Sequence, residues 1–199
     1  MKKNLLTAIW MTVATTVLFG ILYPLAVTGL AHLIFPRQAS GELLHASAGG
    51  DVIGSSLIGQ PFSSPGYFRS RPSAAGPAGY DADSSSGGAS NYAPTNQALI
   101  ARVAADVEKA HAENPGAQVP VDLVTTSGSG LDPHITPAAA EFQLPRVARE
   151  RNMSESDLRA IVAKHAESRQ LGFLGEPRVN VLELNLDLDA THPMSRPAH

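Results

Sequence analysis

From Asn4 to Pro36 the chain carries no Asp, Glu, Lys or Arg, and Leu5 to Val27 reads LLTAIWMTVATTVLFGILYPLAV. Backbone placed in hydrocarbon must satisfy its own hydrogen bonds, and a lone segment does so only as a helix. About 23 helical residues at about 1.5 Å each reach roughly 35 Å, enough for a ~30 Å hydrocarbon core with some tilt. Apolar character continues to Phe35, so the anchor is read as residues 5–35 behind a short N-terminus, 1–4. Of its amphipathic aromatics Trp10 and Tyr23, only Tyr23 falls near an interface. Thr12, Thr15 and Thr16 place small polar groups in the span, Gly20 permits close backbone approach, and Pro24 leaves a carbonyl for neighbours to satisfy. These features suit a helix that docks as well as tethers.

A cleaved signal peptide is the competing reading, with Lys2 and Lys3 as its charged start and Gly29-Leu30-Ala31 as its cleavage site. A signal's apolar core runs about 7–15 residues, and this run is much longer, which decides for an uncleaved anchor. Lys2 and Lys3 outnumber Arg37, the next basic residue being Arg69. The positive-inside rule then expects the N-terminus in the cytoplasm and everything after Pro36 outside it.

Beyond the anchor, 13 basic residues face 18 acidic ones, a formal charge of −5. A nucleic-acid binder needs the opposite balance. Cysteine is absent, which excludes a disulfide scaffold, a thiolate zinc site, a cysteine nucleophile and a lipid-modified N-terminal cysteine. The 17 Gly and 15 Pro point to much turn and loop.

The remainder reads as one α+β extracytoplasmic domain, residues 53–190, after a linker at 36–52 and before a frayed tail at 191–199. Pro61, Pro65, Pro72 and Pro77 punctuate irregular chain with Phe62, Tyr67, Phe68 and Tyr80, and residues 83–91, DSSSGGASN, read as a polar loop. Three helices are expected. The first starts at Pro94-Thr95, with Thr95 as its N-cap and Leu99, Ile100, Val103 and Val107 as its apolar face, and ends at Asn114-Pro115. The second starts at Thr136-Pro137 and is bent or divided by Pro145. The third starts at Ser154, with Asp157 completing a capping box and Leu158, Ile161 and Val162 facing inward, and stops by Gly172. Two strands are expected: Val119 to Thr126, and Asn180 to Asp189, where Leu182, Leu184, Leu186 and Leu188 alternate with Glu183, Asn185, Asp187 and Asp189.

Motifs for chemistry are sparse. Ser127-Gly128-Ser129-Gly130-Leu131 lacks the lysine of a phosphate-binding loop and the glycine spacing of a nucleophile elbow, so it reads as a turn. Asp132-Pro133-His134 has no second histidine at metal-binding spacing. His165 lies near Glu167 and Arg169, where surface ion pairing is the default. Expected catalytic and metal residues are therefore none, and cofactor-binding residues are unknown. Physical reading alone reaches a single-span protein with an acidic outer domain and no evident catalysis. An anchored extracytoplasmic enzyme and an anchored binding protein acting alone remain as alternatives.

Several stretches go further. They are Gly59-Gln60-x-Phe62, Tyr67-Phe68-x-x-Arg71-Pro72-Ser73-Ala74, Ser86-Gly87-Gly88-x-Ser90-Asn91, and Val119 to Thr125. Ser127 to Ile135, Gln143-x-Pro145-Arg146-Val147-Ala148, Gly175 to Leu182, and Leu184-Asn185-Leu186 continue the series. In number, order and spacing, behind one N-terminal span, they resemble the C subunit of the Kdp-type potassium-transporting ATPase (the KdpC family) over nearly the whole chain. Tyr92-Ala93 before Pro94 departs from the family's commoner Leu-Gly. The resemblance implies a bacterial inner-membrane pump in which potassium is the transported ion. A channel-like subunit selects the ion, a P-type ATPase subunit hydrolyses ATP, and a very small single-helix subunit is a further candidate partner. The C subunit is then an accessory, non-catalytic component needed for assembly and activity, embedded in the bilayer and binding no nucleic acid. No cofactor is expected to be tightly bound, and ATP is associated with the complex through the catalytic subunit. Two roles are implied: an outer cap over the potassium entrance of the channel-like subunit, and a catalytic chaperone that raises the ATPase subunit's affinity for ATP. A domain outside the membrane cannot touch cytoplasmic ATP, and the cap is the preferred expectation.

Overall fold

The structure, a computed structural model, describes residues 2–46, 50–77, 79–81 and 89–194. Most of the 83–91 loop, including Ser86-Gly87-Gly88, and the end of the tail lie outside the described residues. Packing divides the chain into two compact units, Met1–Ser55 and Ser56–His199.

The first unit is led by the apolar run. Helix α1 (Lys2–Val17) passes through a π turn (Leu18–Leu22) into α2 (Tyr23–Ile34). Together they make one 33-residue helix long and apolar enough to cross a membrane. The π turn ends two residues before Pro24, and Tyr23 N–H bonds Leu18 O, one residue further back than in an α-helix. Pro24 lacks the N–H that would meet Gly20, and its ring crowds that carbonyl; the widened turn accommodates both. Thr15 Oγ1 donates to Met11 O at 2.8 Å, so its hydroxyl is satisfied within the helix. No residue of α1 or α2 is buried.

The described residues of the stretch expected to be linker include short regular elements. Helix α3 (Pro36–Ala39) leads to strands β1 (Leu43–His45) and β2 (Val52–Ser55), paired antiparallel with Leu43 opposite Ser55. Gly41 turns the chain at φ +81°, and its carbonyl accepts from Ser55 Oγ at 2.6 Å.

The second unit mixes helices with a small sheet. Helix α4 (Gln97–Glu113) begins one residue later than expected. Asn96, not Thr95, is the cap, its Oδ1 accepting from Ala98 N. Helix α5 (Pro137–Arg151) starts at Thr136 as its spacing predicts, the hydroxyl accepting from Ala139 N at 3.1 Å. It runs undivided through Pro145. Helix α6 (Glu155–Lys164) is capped by Ser154 Oγ, which accepts from Asp157 N. It ends eight residues before Gly172, because strand β4 (Ala166–Glu167) follows at once.

Both expected strands are corrected. Val119 to Thr126 holds a 3₁₀ turn, Val121–Leu123. Pro120 cannot donate to a ladder, and Asp122 turns inward to accept from Thr136 N at 2.7 Å. Asn180 to Asp189 is a strand only at its start: β5 (Arg178–Asn180) passes into helix α7 (Val181–Thr191). Asn180 Oδ1 caps that helix by accepting from Glu183 N. Its buried residues include Val181, Leu184, Asn185 and Leu188, a helical stripe, while Leu186 is only partly buried. The sheet has β5 in the centre, with β3 (His134–Ile135) and β4 antiparallel on either side. Phe68, Ile135, Leu144, Val147, Leu158, Val179, Leu184 and Leu188 join in one core.

Candidate functional site

The irregular chain at 65–73 has no sheet or helix to satisfy its backbone, and buried polar side chains do it instead. Asn185 Oδ1 accepts from Phe68 N and its Nδ2 donates to Phe68 O, both at 2.9 Å. Gln143 treats Arg69 the same way, at 2.8 and 3.0 Å. Arg146 donates to Pro65 O and to Tyr67 O, and Arg151 Nε to Gly66 O at 2.6 Å. Two charges balance these guanidiniums, Glu113 against Arg146 at 3.2 Å and Asp189 against Arg151 at 2.9 Å. Tyr67 lies under Arg151 at 5.0 Å and donates its hydroxyl to Asp189, and burial together with that carboxylate raises the phenol's pKa.

This segment in turn holds the glycine-serine loop. Arg71 reaches Thr126 O at 3.2 Å and Asp132 Oδ2 at 3.3 Å, and Ser73 Oγ donates to Gly130 O at 2.6 Å. Ser73 Oγ also accepts from Ala75 N and Tyr80 N, which draws Tyr80 back so that its hydroxyl meets Arg71 O. Burial pushes the Tyr80 phenol up to about 12, so it stays a neutral donor. Gly59 N–H bonds Leu131 O, and a Cβ at Gly59 would sit 2.6 Å from the Tyr80 ring and 2.8 Å from Asp132 O. Only glycine fits there.

The result is an open cleft of about 270 Å³ lined by Arg71, Asp122, Asp132, His134, Thr136 and Arg178 among others. Asp132 receives the backbone N–H of His134 at 3.0 Å and faces its ring at 3.4 Å. Burial raises the carboxyl's pKa, but the His134 contacts and Arg71 outweigh it and hold it below the ordinary carboxylate range. Ser127 and Ser129 stand in the loop, with Ser129 Oγ accepting from Leu131 N. Among the described residues no group of three His, Asp or Glu side chains is placed to hold a metal. His165 pairs with Asp187 at 2.8 Å, across to α7, not with Glu167 or Arg169 as expected. The arrangement is a lock: its charged groups fix a loop of defined shape.

Most residues of this lock lie in the stretches singled out in the sequence, and the fold brings four of them together at Gly59, Arg71–Ser73, Ser127–Ile135 and Glu176–Arg178. Sequence reasoning missed Arg151 and the inward turn of Asn185. The cue for Asn185 was its place, four residues from Val181 and three from Leu188 on a helical stripe.

Comparison with known proteins agrees with that convergence. The family model described as "KdpC: K+-transporting ATPase, c chain" matches residues 5–190. A potassium-transporting ATPase KdpC subunit of Koribacter versatilis is 61% identical over 197 residues, covering 99% of this chain and 100% of the relative. The namesake subunit of Rhodopseudomonas palustris is 55% identical, covering 96% and 99%, and that of Caulobacter vibrioides 57%, covering 89% and 88%. The chain therefore belongs to the KdpC family, subunits of the K+-transporting ATPase.

Proposed function

We propose that the chain is a non-catalytic assembly subunit of an ATP-driven potassium pump of the inner membrane, with its folded domain outside the cytoplasm as a cap beside the potassium entrance of the channel-like subunit. The observation that carries this reading is the 33-residue helix Lys2–Ile34, none of whose residues is buried within its own chain. Such a helix with Thr12, Thr16, Gly20 and Pro24 along it suits packing against partner spans, here the channel-like and P-type ATPase subunits. Lys2 and Lys3 ahead of the span, with Arg37 alone close behind it, support an N-terminus inside and a domain outside. Arg71, Asp132 and His134 of the cleft are engaged in holding the 127–134 loop, which favours a shaped surface over a reaction centre. With the domain outside, any influence on ATP affinity is a coupling free energy carried through the membrane spans.

Protease added to spheroplasts tests this. Digestion of the domain is the expected result. Protection in spheroplasts, with digestion only in inverted vesicles, overturns both the topology and the cap, and favours the ATP-affinity role.

A further inference from the structure

Between β4 and β5 the chain makes a hairpin whose tip faces away from the core. Gln170 pairs with Leu174, and the loop between them exposes Leu171 at 83% and Phe173 at 69%, with Leu174 at 47%. Leu171 and Gly172 both have positive φ, +53° and +82°. Turns of this hand ordinarily take Asn, Asp or Gly, because a β-carbon is disfavoured there. Leucine at that position forgoes good turn chemistry to place an apolar side chain at the tip.

The charges around the tip narrow the choice of what covers it. Arg169 pairs with Glu176 at 2.6 Å and Arg178 with Glu167 at 2.8 Å, so the hairpin's Arg and Glu side chains cancel. Lipid-surface elements carry surplus Lys or Arg and interfacial Trp or Tyr, and no residue from Ala166 to Arg178 is Lys, Trp or Tyr. A second copy of the chain fits poorly too. Three side chains fall well short of the roughly 800 Å² per partner that a stable dimer needs, and two domains of formal charge −5 repel. An apolar centre inside a rim of satisfied polar groups is the anatomy of a protein–protein anchor point.

We propose that Leu171, Phe173 and Leu174 form a plug that enters an apolar socket on the outer face of another membrane subunit of the transporter. This rests on the pump-subunit reading above. The socket has apolar walls and a rim of neutral or self-paired groups, since the hairpin offers it no unpaired Arg or Glu.

The test uses the full chain expressed with the complete transporter, a large subunit carrying the affinity tag. A benzoylphenylalanine photoprobe replaces Phe173 in one sample and Val121, 69% exposed outside the hairpin, in another. The expected result is a light-dependent adduct between this chain and a large subunit from position 173 and not from 121. Leu171→Ser with Phe173→Ser should weaken apparent affinity for the rest of the complex roughly ten- to thirtyfold, with thermal unfolding of the chain unchanged. Adducts with lipid alone, adducts of two copies of the chain, equal adducts from both positions, or none while the wild-type chain still co-purifies, would each overturn the plug. Failure of the wild-type chain to co-purify overturns the pump-subunit reading itself.

Discussion

Helices α4 and α7 hold opposite positions in the energetics of the domain. Of the 17 residues in α4 only Ala110 is buried, and Ile100 is exposed. In α7 five of 11 residues are buried, including Asn185. Spacing on a helix therefore tells which residues share a face, but not whether that face meets anything. The difference arises from what lies next to each in the fold. Helix α7 follows directly from the central strand β5, and Leu184 and Leu188 join the core to which α5 and α6 also contribute. Helix α4 is tied in near its end, where Asn114 Nδ2 donates to Phe142 O and Glu113 meets the α5 arginine Arg146.

The sharpest test of the contrast is Leu184→Ala. Leu184 is fully buried, and truncating such a leucine costs about 2–5 kcal/mol. Urea denaturation of the full chain should show the midpoint fall at constant slope; a loss below about 1 kcal/mol would remove α7 from the core.

A smaller effect is expected at Asp187. His165 at 2.8 Å, then Lys164 at 3.2 Å, hold its pKa below the ordinary value. A depressed carboxylate contributes stability that is present above about pH 4 and is lost as the pH falls through its folded pKa. Asp187→Asn should therefore lower stability at neutral pH by less than about 1 kcal/mol, and make the acid limb of the stability profile shallower. Parallel acid limbs in the two proteins would show that the pair contributes nothing.

Ile100→Ser marks the other end. A surface change of this kind should fall within about 0.5 kcal/mol in the same denaturation experiment. A loss above about 1.5 kcal/mol would show that α4 is covered in the folded chain.

Much of this was legible from residue types. The anchor, Thr136-Pro137 and Ser154 could be read because each signal is local: an uncharged run, or a cap beside its own helix. Helix α7 was misread because Leu-Glu-Leu-Asn-Leu-Asp-Leu-Asp has a perfect two-residue period. Against that stood Asn180 with Glu183, a capping pair, and the scarcity of β-branched residues after Val181. The polar lock was the least visible part. Arg71, Gln143, Arg146, Arg151 and Asn185 look like surface residues until the fold supplies distant carbonyls for them. Residues 68 and 185 lie 117 positions apart, beyond the reach of any local pattern.

The π turn at Leu18–Leu22 has a mechanical consequence for the anchor. One extra residue in a turn advances the helix by about 100° of rotation and about 1.5 Å of rise. The azimuth carrying Ala8, Thr12 and Thr16 before the turn is thus out of phase with the side chains beyond it. Two neighbours on different bearings can each be met by one half of the rod. Excising a single residue from 18–22 would bring the halves into one registry, swinging the N-terminal half like a key turned a quarter revolution in its lock, with the composition of the span almost unchanged.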